Sequence, residues 1–423
     1  MLTAASVAAQ GQVTANSMKV NERRIEERIV ELSKFGKDTA GRGYRVAFTK
    51  GDREGRAWIM KLMQQLGLSI KIDAAGNIIG MRKGKKPALL PIAFGSHIDM
   101  VPDGGNYDGC VGSLGALEVI DVLNENKIVT EHPLQVIIFS NEEGGTGGSN
   151  ALAGHLSPDA LKLVSQSGVT MAEGINAIGG NADSIANSAI RHGGLKGFLE
   201  LHIEQGGILD KEQVQIGVVE GIVGIEHWNV LFEGFANHAG TTPMNMRQDA
   251  LLAAAEFILA VNKIINSHPG RQVGTVGKLS VQPGAYNVIP GKVIAGLEIR
   301  DLSYDKLWQM FHEIETQAAS ISSATNIKIT FQYQANPARP ALTDKSIQDK
   351  IIASAKELGY SYKYMQSGAG HDSQEMALVV PVAMIFVPSV AGISHSPKEY
   401  TKPVDMANGA NVLLQTILKL DKE

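Results

Sequence analysis

Cysteine is nearly absent from this chain of 423 residues, as are the marks of membrane and nucleic-acid-binding proteins. The one cysteine, Cys110, excludes an intrachain disulfide framework and any cysteine-rich zinc site. A net charge of -4 gives no basic surface for nucleic acid or for an acidic membrane. We find no apolar run long enough to cross a bilayer, no internal repeat and no low-complexity tract. What remains is an ordinary globular composition, with 44% apolar and 19% charged residues.

The length favours two domains, because a single hydrophobic core seldom serves more than about 250–300 residues. Residues 1–17 are rich in small side chains and resemble the end of an export signal whose basic and apolar parts are missing. An unprocessed N-terminal segment fits the same residues, so we leave roughly the first eighteen out of the fold reasoning. We expect a cytoplasmic protein, with export to the periplasm as the alternative.

One stretch, from Phe94 to Ile120, combines a buried strand, a glycine-rich loop and the start of a helix. His97 and Asp99 stand two residues apart at the end of the strand, and side chains at that spacing share a face. The loop then brings in Asp108 among glycines that permit a tight turn. Imidazole and carboxylate suit a borderline divalent ion such as zinc, although a His-x-Asp pair alone is more often a simple hydrogen-bonded pair.

The next apolar strand ends in two adjacent carboxylates, Glu142 and Glu143. Such a pair is costly unless a cation neutralises one group or a proton occupies the other. The chemistry this favours is one metal ligand beside one general base with a raised pKa, and the alternative is a solvated acidic turn. Two later strands end near His202 and His395, which adds two imidazoles to the candidate ligands.

Strands alternate with helices in the first half of the chain, which predicts an α/β domain that binds ligands at the carboxyl ends of its strands. From residue 214 the order becomes strand, helix, strand, strand, helix, strand, which is a compact α+β unit of ordinary domain size. We therefore predict a catalytic domain made of residues 19–213 and 335–423, with a second domain inserted at 214–334.

Eight short segments, taken in order, give the chain a family resemblance: SHID, GGNYDG, NEEG, LHIEQG, ANHAGTTPM, NVIPG, SGAGHD and GISHSPKEYT. They resemble the M20 metallopeptidase-like amidohydrolases, and more narrowly the hydantoinase/carbamoylase branch. That branch includes N-carbamoyl-L-amino acid hydrolase, β-ureidopropionase, allantoate amidohydrolase and ureidoglycolate amidohydrolase. The similarity runs from about Asn21 to Leu418. It implies a mixed-sheet metallohydrolase domain with helices on both faces, and an inserted lid domain that also builds a homodimer.

The resemblance also implies two divalent metal ions, zinc or manganese, and a set of ligands for them. Matched motif by motif, His97 and His202 would hold one ion. Glu143 and His395 would hold the other, and Asp108 would bridge the two.

Further roles follow from the same resemblance. Glu142 is implied as the general base, and Asp99 as the support that orients His97. His238, in the inserted domain, is implied as the donor to the oxyanion that forms at the ureido carbonyl.

The substrate carboxylate would be gripped by Arg300, together with Asn287 and Gln205, since a guanidinium meets a carboxylate with two parallel hydrogen bonds. From the residues alone, Arg300 also fits a local ion pair and Asn287 a turn. The roles of His371 and Asp372 stay open.

The chain departs from the branch in two places. After NEEG it reads GTGG (residues 145–148), where the branch usually has Ser or Val followed by Arg and Phe. We expect this loop to lack the positive charge of the usual arginine and to be more flexible. Residues 389–391 read SVA in place of the usual Ser-Arg-Gly. Because of both changes, the motifs do not identify the side chain of the substrate.

The leading functional hypothesis is cleavage of the ureido carbon–nitrogen bond of an N-carbamoyl-L-amino acid or a related, allantoate-like ureido acid, with release of ammonia and carbon dioxide. The alternative is an M20 aminopeptidase or an N-acyl amino acid deacylase. A third possibility is a metal-stabilised binding protein without activity. A missing base or ligand would favour that reading, and every predicted residue is present in the sequence.

Overall fold

The computed structural model describes residues 18–423, apart from the side chains of 335–337, and the chain divides into two compact units. The export-like segment lies outside the described residues. The larger unit extends to Glu220 and includes Thr343–Met365 and His371–Glu423, and the smaller contains Gly221–Leu342 and Gln366–Gly370. The inserted unit therefore starts and ends a few residues later than the sequence pattern suggests.

Strand pairing explains the shifted boundaries. The strand β6 (Ile216–Ile222) pairs through residues 217–219 with β13 (Val382–Val387), which holds its first half in the larger unit. At the other end, β10 (Lys328–Ala338) pairs with β7 (Gly224–Glu233) as far as Ala338, so the smaller unit extends beyond residue 334. The short strand β11 (Ala341–Leu342) then pairs with the last two residues of β6.

The larger unit is built on one mixed sheet. Its remaining strands are β1 (Ser69–Ile72), β2 (Ile78–Arg82), β3 (Ile92–His97), β4 (Leu134–Phe139), β5 (Gly197–Ile203) and β12 (Tyr362–Ser367). They lie in the order β1-β2-β4-β3-β5-β13-β6, and β12 also pairs with β6. The central strands β4, β3, β5 and β13 are parallel, whereas β1, β2 and β6 pair antiparallel to their neighbours.

Helices cover both faces of this sheet, as the sequence predicts. On one face α1 (Glu22–Leu32), α3 (Cys110–Glu125), α9 (Lys345–Glu357) and α11 (Pro403–Leu420) share a core with Phe94 and Leu199. On the other, α4 (Gly147–Leu152) and α10 (Asp372–Met376) pack around Phe198. All residues of β3, β5 and β13 are buried because helices cover both faces of these strands, and most of their side chains are accordingly apolar. The predicted fold class is confirmed.

The larger unit also contains α2 (Lys50–Gln65) beside β1, and the short helices α5 (Met171–Ala177) and α6 (Ile208–Glu212). The helix starts follow sequence signals. The side chains of Asn21 and Thr49 accept hydrogen bonds from backbone N–H groups in the first turns of α1 and α2, which satisfies donors that a helix start leaves unpaired.

The smaller unit has one antiparallel sheet and two helices. β8 (Val273–Gln282) and β9 (Lys292–Asp301) complete the order β10-β7-β9-β8. Burial alternates along β7 and β9, as expected for strands with one covered face. The helices α7 (Ala250–Ser267) and α8 (Tyr304–Thr325) cover that face around Trp228, Phe257 and Phe311.

One of these helices, α7, is long and apolar enough to cross a membrane by length and composition, although the sequence pattern showed no such run. Core helices often share that composition. Ala253, Phe257 and Val261 on one side of α7 are buried in the core of the smaller unit, whereas Leu252 and Leu259 are exposed.

Candidate active site

The parallel strands of the larger sheet bring the predicted metal ligands to one edge. His97 is the last residue of β3, and His202 is the last but one of β5. Glu143 follows β4, and His395 follows β13. Asp108 lies in the glycine-rich loop just before α3. Because carboxyl ends of parallel strands lie side by side, four separate segments converge with the loop at one place.

Asp108 is the centre of the cluster. Its Oδ1 lies 3.1 Å from His202 Nε2 and 3.5 Å from His97 Nε2, and its Oδ2 lies 3.2 Å from His395 Nε2. His395 Nε2 is also 3.5 Å from Glu143 Oε2. The side chains thus form two groups of possible metal ligands that share Asp108, and within each group the ligand atoms lie within 4.8 Å of one another.

Two backbone carbonyls fix the imidazole rings. The Nδ1 of His97 lies 3.1 Å from the carbonyl oxygen of Asp99, and the Nδ1 of His202 lies 2.9 Å from that of Ile203. An Nδ1–H that donates to a carbonyl leaves Nε2 as the free ligand atom, and in both rings Nε2 faces Asp108. Gly109 has φ +63, and a Cβ there would lie 2.4 Å from His97 Nε2, so this close approach requires glycine.

The acidic pair after β4 is buried and crowded. Burial raises the pKa of Glu142 well above its usual range, and the neighbouring charges of Asp372 and Glu143 add to the effect. Burial, followed by the charge of Asp108, raises the pKa of Glu143 to about 7. Glu142 Oε2 lies 3.7 Å from His97 Nε2. This is the environment expected of a general base beside a cation-binding carboxylate.

In the ligand group of Asp108, Glu143 and His395, the aspartate and the histidine attract each other. Burial opposes ionisation of Asp108, but hydrogen bonds from His202, His395 and His97 hold its pKa well below the usual range. The hydrogen bond to Asp108 raises the pKa of His395 to about 9. His395 also has φ +52, an uncommon backbone conformation for a residue other than glycine. The left-handed backbone at residue 395 sets the direction from which this imidazole approaches Asp108.

The donor set fits divalent cations. Among the described residues, Glu143 Oε1 is a buried carboxylate oxygen without a hydrogen-bond partner. Such an oxygen is costly unless a cation or an unseen partner meets it. Two imidazoles with a carboxylate in one group, and one imidazole with two carboxylates in the other, suit zinc or manganese. Divalent metal binding is therefore compatible with this site.

The carboxylate of Asp99 lies behind the cluster. It is 3.7 Å from His97 Nδ1, farther than the Asp99 carbonyl oxygen. Its two oxygens accept hydrogen bonds from the backbone N–H groups of Glu142 and Glu143, at 3.3 and 3.1 Å. Asp99 therefore contacts both the imidazole that was its predicted partner and the turn that carries the acidic pair.

Of the residues predicted to bind substrate, Gln205 lies in the larger unit. Its Nε2 donates to Asp108 Oδ2 at 2.6 Å and lies 3.4 Å from His395 Nε2. The structure therefore places Gln205 in contact with the cluster.

The other predicted substrate contacts lie in the smaller unit. His238 forms a β-bridge with Val288, and the Ala239 N–H donates to the Asn287 carbonyl, so His238 and Asn287 are neighbours. Arg300 lies near the end of β9, where its Nε donates to Glu298 at 2.7 Å and its Nη1 to the Gly368 carbonyl. The predicted set is therefore divided between the two ends of this sheet.

The loop after the acidic pair differs from the expectation of flexibility. Gly147 and Gly148 are buried and form the first residues of α4, and their N–H groups donate to the carbonyls of Asn141 and Ser140. Gly145 remains in open space with φ +104. The loop is therefore ordered by the start of a helix, and the freedom expected from its glycines is confined to Gly145.

Sequence reasoning assigned no role to Glu399, four residues after His395. It is 5% exposed, and its carboxylate touches the loop that carries Asp108. An acidic residue inside the quoted motif GISHSPKEYT was the available signal. Glu200 was missed as well: it is fully buried below the site and accepts hydrogen bonds from Ser96 and Ser373.

This chain belongs to Peptidase family M20/M25/M40, whose model matches residues 93–419. It is a hydrolase of carbon–nitrogen bonds. The chain is 37% identical over 406 residues to an N-carbamoyl-L-amino acid amidohydrolase of Geobacillus stearothermophilus, a match that covers 95% of this chain and 99% of the relative. It is 38% identical to a ureidoglycolate hydrolase of Arabidopsis thaliana, covering 96% and 88%.

Solved structures agree with this placement. The crystal structure of an amidase of the hydantoinase/carbamoylase family from Burkholderia multivorans matches with a TM-score of 0.91 and 35% identity, covering 96% of this chain and 99% of the other. The branch of the family that the sequence motifs indicated is therefore confirmed.

Proposed function

We propose that this protein is a dinuclear metal-dependent amidohydrolase that cleaves the ureido carbon–nitrogen bond of an N-carbamoyl-L-amino acid or a related ureido acid. The observation that carries the proposal is the sharing of Asp108 between two groups of possible metal ligands, with Glu142 beside them. The names of the relatives support the substrate class, because they hydrolyse N-carbamoyl amino acids and ureidoglycolate.

The chemistry follows from the residues at the strand ends. Two divalent ions, when bound by His97, Asp108, His202, Glu143 and His395, would supply Lewis acidity to the ureido carbonyl and to water. Glu142 takes a proton from the attacking water and passes it to the leaving nitrogen. Hydrolysis of a terminal carbamoyl group frees the amino acid, and the carbamate formed decomposes to ammonia and carbon dioxide.

In this proposal the smaller unit supplies all of the groups that recognise the substrate except Gln205. Arg300 would bind the substrate carboxylate through its planar guanidinium, and His238 would donate to the oxyanion. The other substrate contacts would come from Asn287 and Gln205. The hydrogen bond from Arg300 to Glu298 holds the guanidinium in a defined orientation, which favours binding of a carboxylate with two parallel hydrogen bonds.

The geometry of the smaller sheet supports the predicted homodimer. His238 and Asn287 lie beyond the Lys292 end of β9, and Arg300 lies near its other end. Eight steps of about 3.3 Å, or about 26 Å, separate Lys292 from Arg300 along the strand. One small substrate cannot contact both ends of one sheet. A second copy of the chain would therefore supply one of the two sets.

The test is ammonia release from a panel of N-carbamoyl-L-amino acids, ureidopropionate, ureidoglycolate and allantoate, with protein loaded with manganese or zinc. We expect turnover of one class, and we expect Glu142→Gln to lower kcat about 10²- to 10⁴-fold because it removes the base. Hydrolysis of a peptide or an N-acetyl amino acid, without ammonia from any ureido acid, would instead make the protein an aminopeptidase or deacylase. Unchanged kcat in Glu142→Gln would remove Glu142 from the mechanism.

A further inference from the structure

Glu399 connects two segments that carry candidate metal ligands. Its Oε1 accepts the backbone N–H groups of Tyr107 and Asp108, at 2.8 and 3.1 Å. Its Oε2 accepts the hydroxyl of Ser394, at 2.9 Å, and Ser394 Oγ also lies 3.2 Å from Asp108 Oδ2. One buried carboxylate therefore ties the Asp108 loop to the residue that precedes His395.

The loop is shaped to receive this carboxylate. A Cβ at Gly105 would lie 2.3 Å from Glu399 Oε1 and 2.4 Å from Glu399 Cβ, so a larger residue would displace Glu399. A buried carboxylate is costly unless hydrogen bonds satisfy its oxygens, and here both oxygens are engaged. Burial raises the pKa of Glu399 above its usual value, while its hydrogen bonds from Tyr107, Asp108 and Ser394 oppose that rise. The close fit and the full set of donors indicate a specific contact.

Asp99 makes a matching contact on the opposite side of the cluster. Its carboxylate accepts the successive N–H groups of Glu142 and Glu143, just as Glu399 accepts those of Tyr107 and Asp108. In both cases a carboxylate outside the two ligand groups holds the backbone of a loop that delivers an acidic side chain to the cluster. The Asp108 loop, however, is joined through Glu399 to a segment nearly three hundred residues away in the chain.

We propose that Glu399 is a positioning residue that assembles the ligand group formed by Asp108, Glu143 and His395. It fixes the backbone at Asp108 and, through Ser394, the approach of His395. The proposal rests on the proposed metal site, but it concerns metal affinity and makes no use of turnover. The group of His97, Asp108 and His202 shares only the Asp108 loop with Glu399, so loss of Glu399 should affect it less.

The experiment is titration of metal-free protein with Mn²⁺ alone, by calorimetry and by electron paramagnetic resonance. Loss of a hydrogen-bond partner behind a metal ligand typically weakens metal binding about 10- to 100-fold. We expect Glu399→Ala to weaken the second Mn²⁺ equivalent by that factor, and to replace the signal of a coupled manganese pair by that of a single ion. Glu399→Gln keeps an oxygen for the two N–H groups and should restore most of the affinity.

Asp421 provides a matched control. It accepts the backbone N–H groups of Glu131 and His132, at 3.0 and 2.8 Å, away from the site. Asp421→Ala should lower thermal stability without changing the affinity for either the first or the second Mn²⁺ equivalent. Wild-type affinity for both equivalents in Glu399→Ala, or equal weakening in Asp421→Ala, would overturn the proposal.

Two further variants test the contact if Glu399→Ala fails to fold. Gly105→Ala pushes the carboxylate away without altering it, and Ser394→Ala removes the hydroxyl that joins it to Asp108. Both should weaken the second equivalent, and wild-type binding in both would refute the role. Normal Mn²⁺ binding without ureido-acid turnover in the wild type would refute the proposed function alone. Turnover with unaltered Mn²⁺ binding in these variants would refute this inference alone.

Discussion

The charge of Glu143 should destabilise the metal-free protein at neutral pH, and Glu143→Gln should relieve that cost. Burial raises the pKa of this carboxyl group from 4.5 to about 7. Below pH 4.5 the group is protonated in both the folded and the unfolded chain. As the pH rises towards 7, the unfolded chain releases the proton first, so folding stability falls across this window and stays lower above it.

The size of the effect follows from the shift. One pKa unit corresponds to about 1.4 kcal/mol, so a rise from 4.5 to about 7 makes ionised Glu143 cost about 3 kcal/mol. We expect metal-free Glu143→Gln to be more stable than the wild type at pH 7.5 by up to about 3 kcal/mol, with a difference that vanishes near pH 4. Saturating Mn²⁺ should reverse the order, because the variant has lost a ligand.

Calorimetric melting of both proteins at pH 4, 5.5 and 7.5, with and without Mn²⁺, measures this. The difference between the two proteins reports Glu143 together with its ion pair to His395, because the charge of Glu143 is one cause of the raised pKa of His395. The pKa of His395 is raised to about 9, so its contribution is present below pH 6.5 and is lost as the pH rises to 9. Glu54→Gln, at an exposed carboxylate on α2, serves as the control and should change neither curve. A metal-free Glu143→Gln that melts below the wild type at pH 7.5 would refute the reasoning.

Four other outcomes are expected. Dialysis against a chelator should abolish turnover, and added Mn²⁺ or Zn²⁺ should restore it. Arg300→Lys should raise KM for a carboxylate substrate roughly 10- to 100-fold with a smaller change in kcat, because a charged hydrogen bond is worth about 1.5–3 kcal/mol; an unchanged KM would exclude Arg300 from substrate binding. Gly109→Ala should lose Mn²⁺ affinity in a titration, since the new Cβ would meet His97. Glu118→Gln should lower the free energy of unfolding by about 1.5–3 kcal/mol, because it removes the charge that accepts hydrogen bonds from Arg24, while activity per folded molecule stays unchanged.

The sequence predicted the large features well because they depend on local pattern. Apolar runs identified the strands, and polar residues at their ends, such as His97 and His202, marked the edge at which ligands gather. Parallel strands then bring these residues together without further information. The predicted alternation of strands and helices was likewise encoded by the spacing of apolar residues and by turn residues.

Features that depend on distant contacts were less accessible. The contact of Glu399 with the Asp108 loop joins residues 291 positions apart, and no local pattern encodes it. The inserted unit was predicted to start at residue 214 because β6 directly precedes β7 in the sequence, yet the first half of β6 pairs with β13. The glycines at residues 147–148 suggested freedom, but their burial at the start of α4 was invisible to composition.

The arrival of the site's side chains from four strand ends has a consequence for the order of folding. His97 and His395 come together only after the inserted unit has been made and the chain has returned to add β13 between β5 and β6. Contacts so distant along the chain form late, because closing long loops costs entropy before any contact repays it. The ligand group of Asp108, Glu143 and His395 therefore cannot bind an ion until β13 has joined the sheet, whereas His97, Asp108 and His202 all precede the inserted unit. Binding of an ion at the group that contains His395 would report that the larger unit is complete, and a chain truncated before β13 would lack that group however well its N-terminal strands formed.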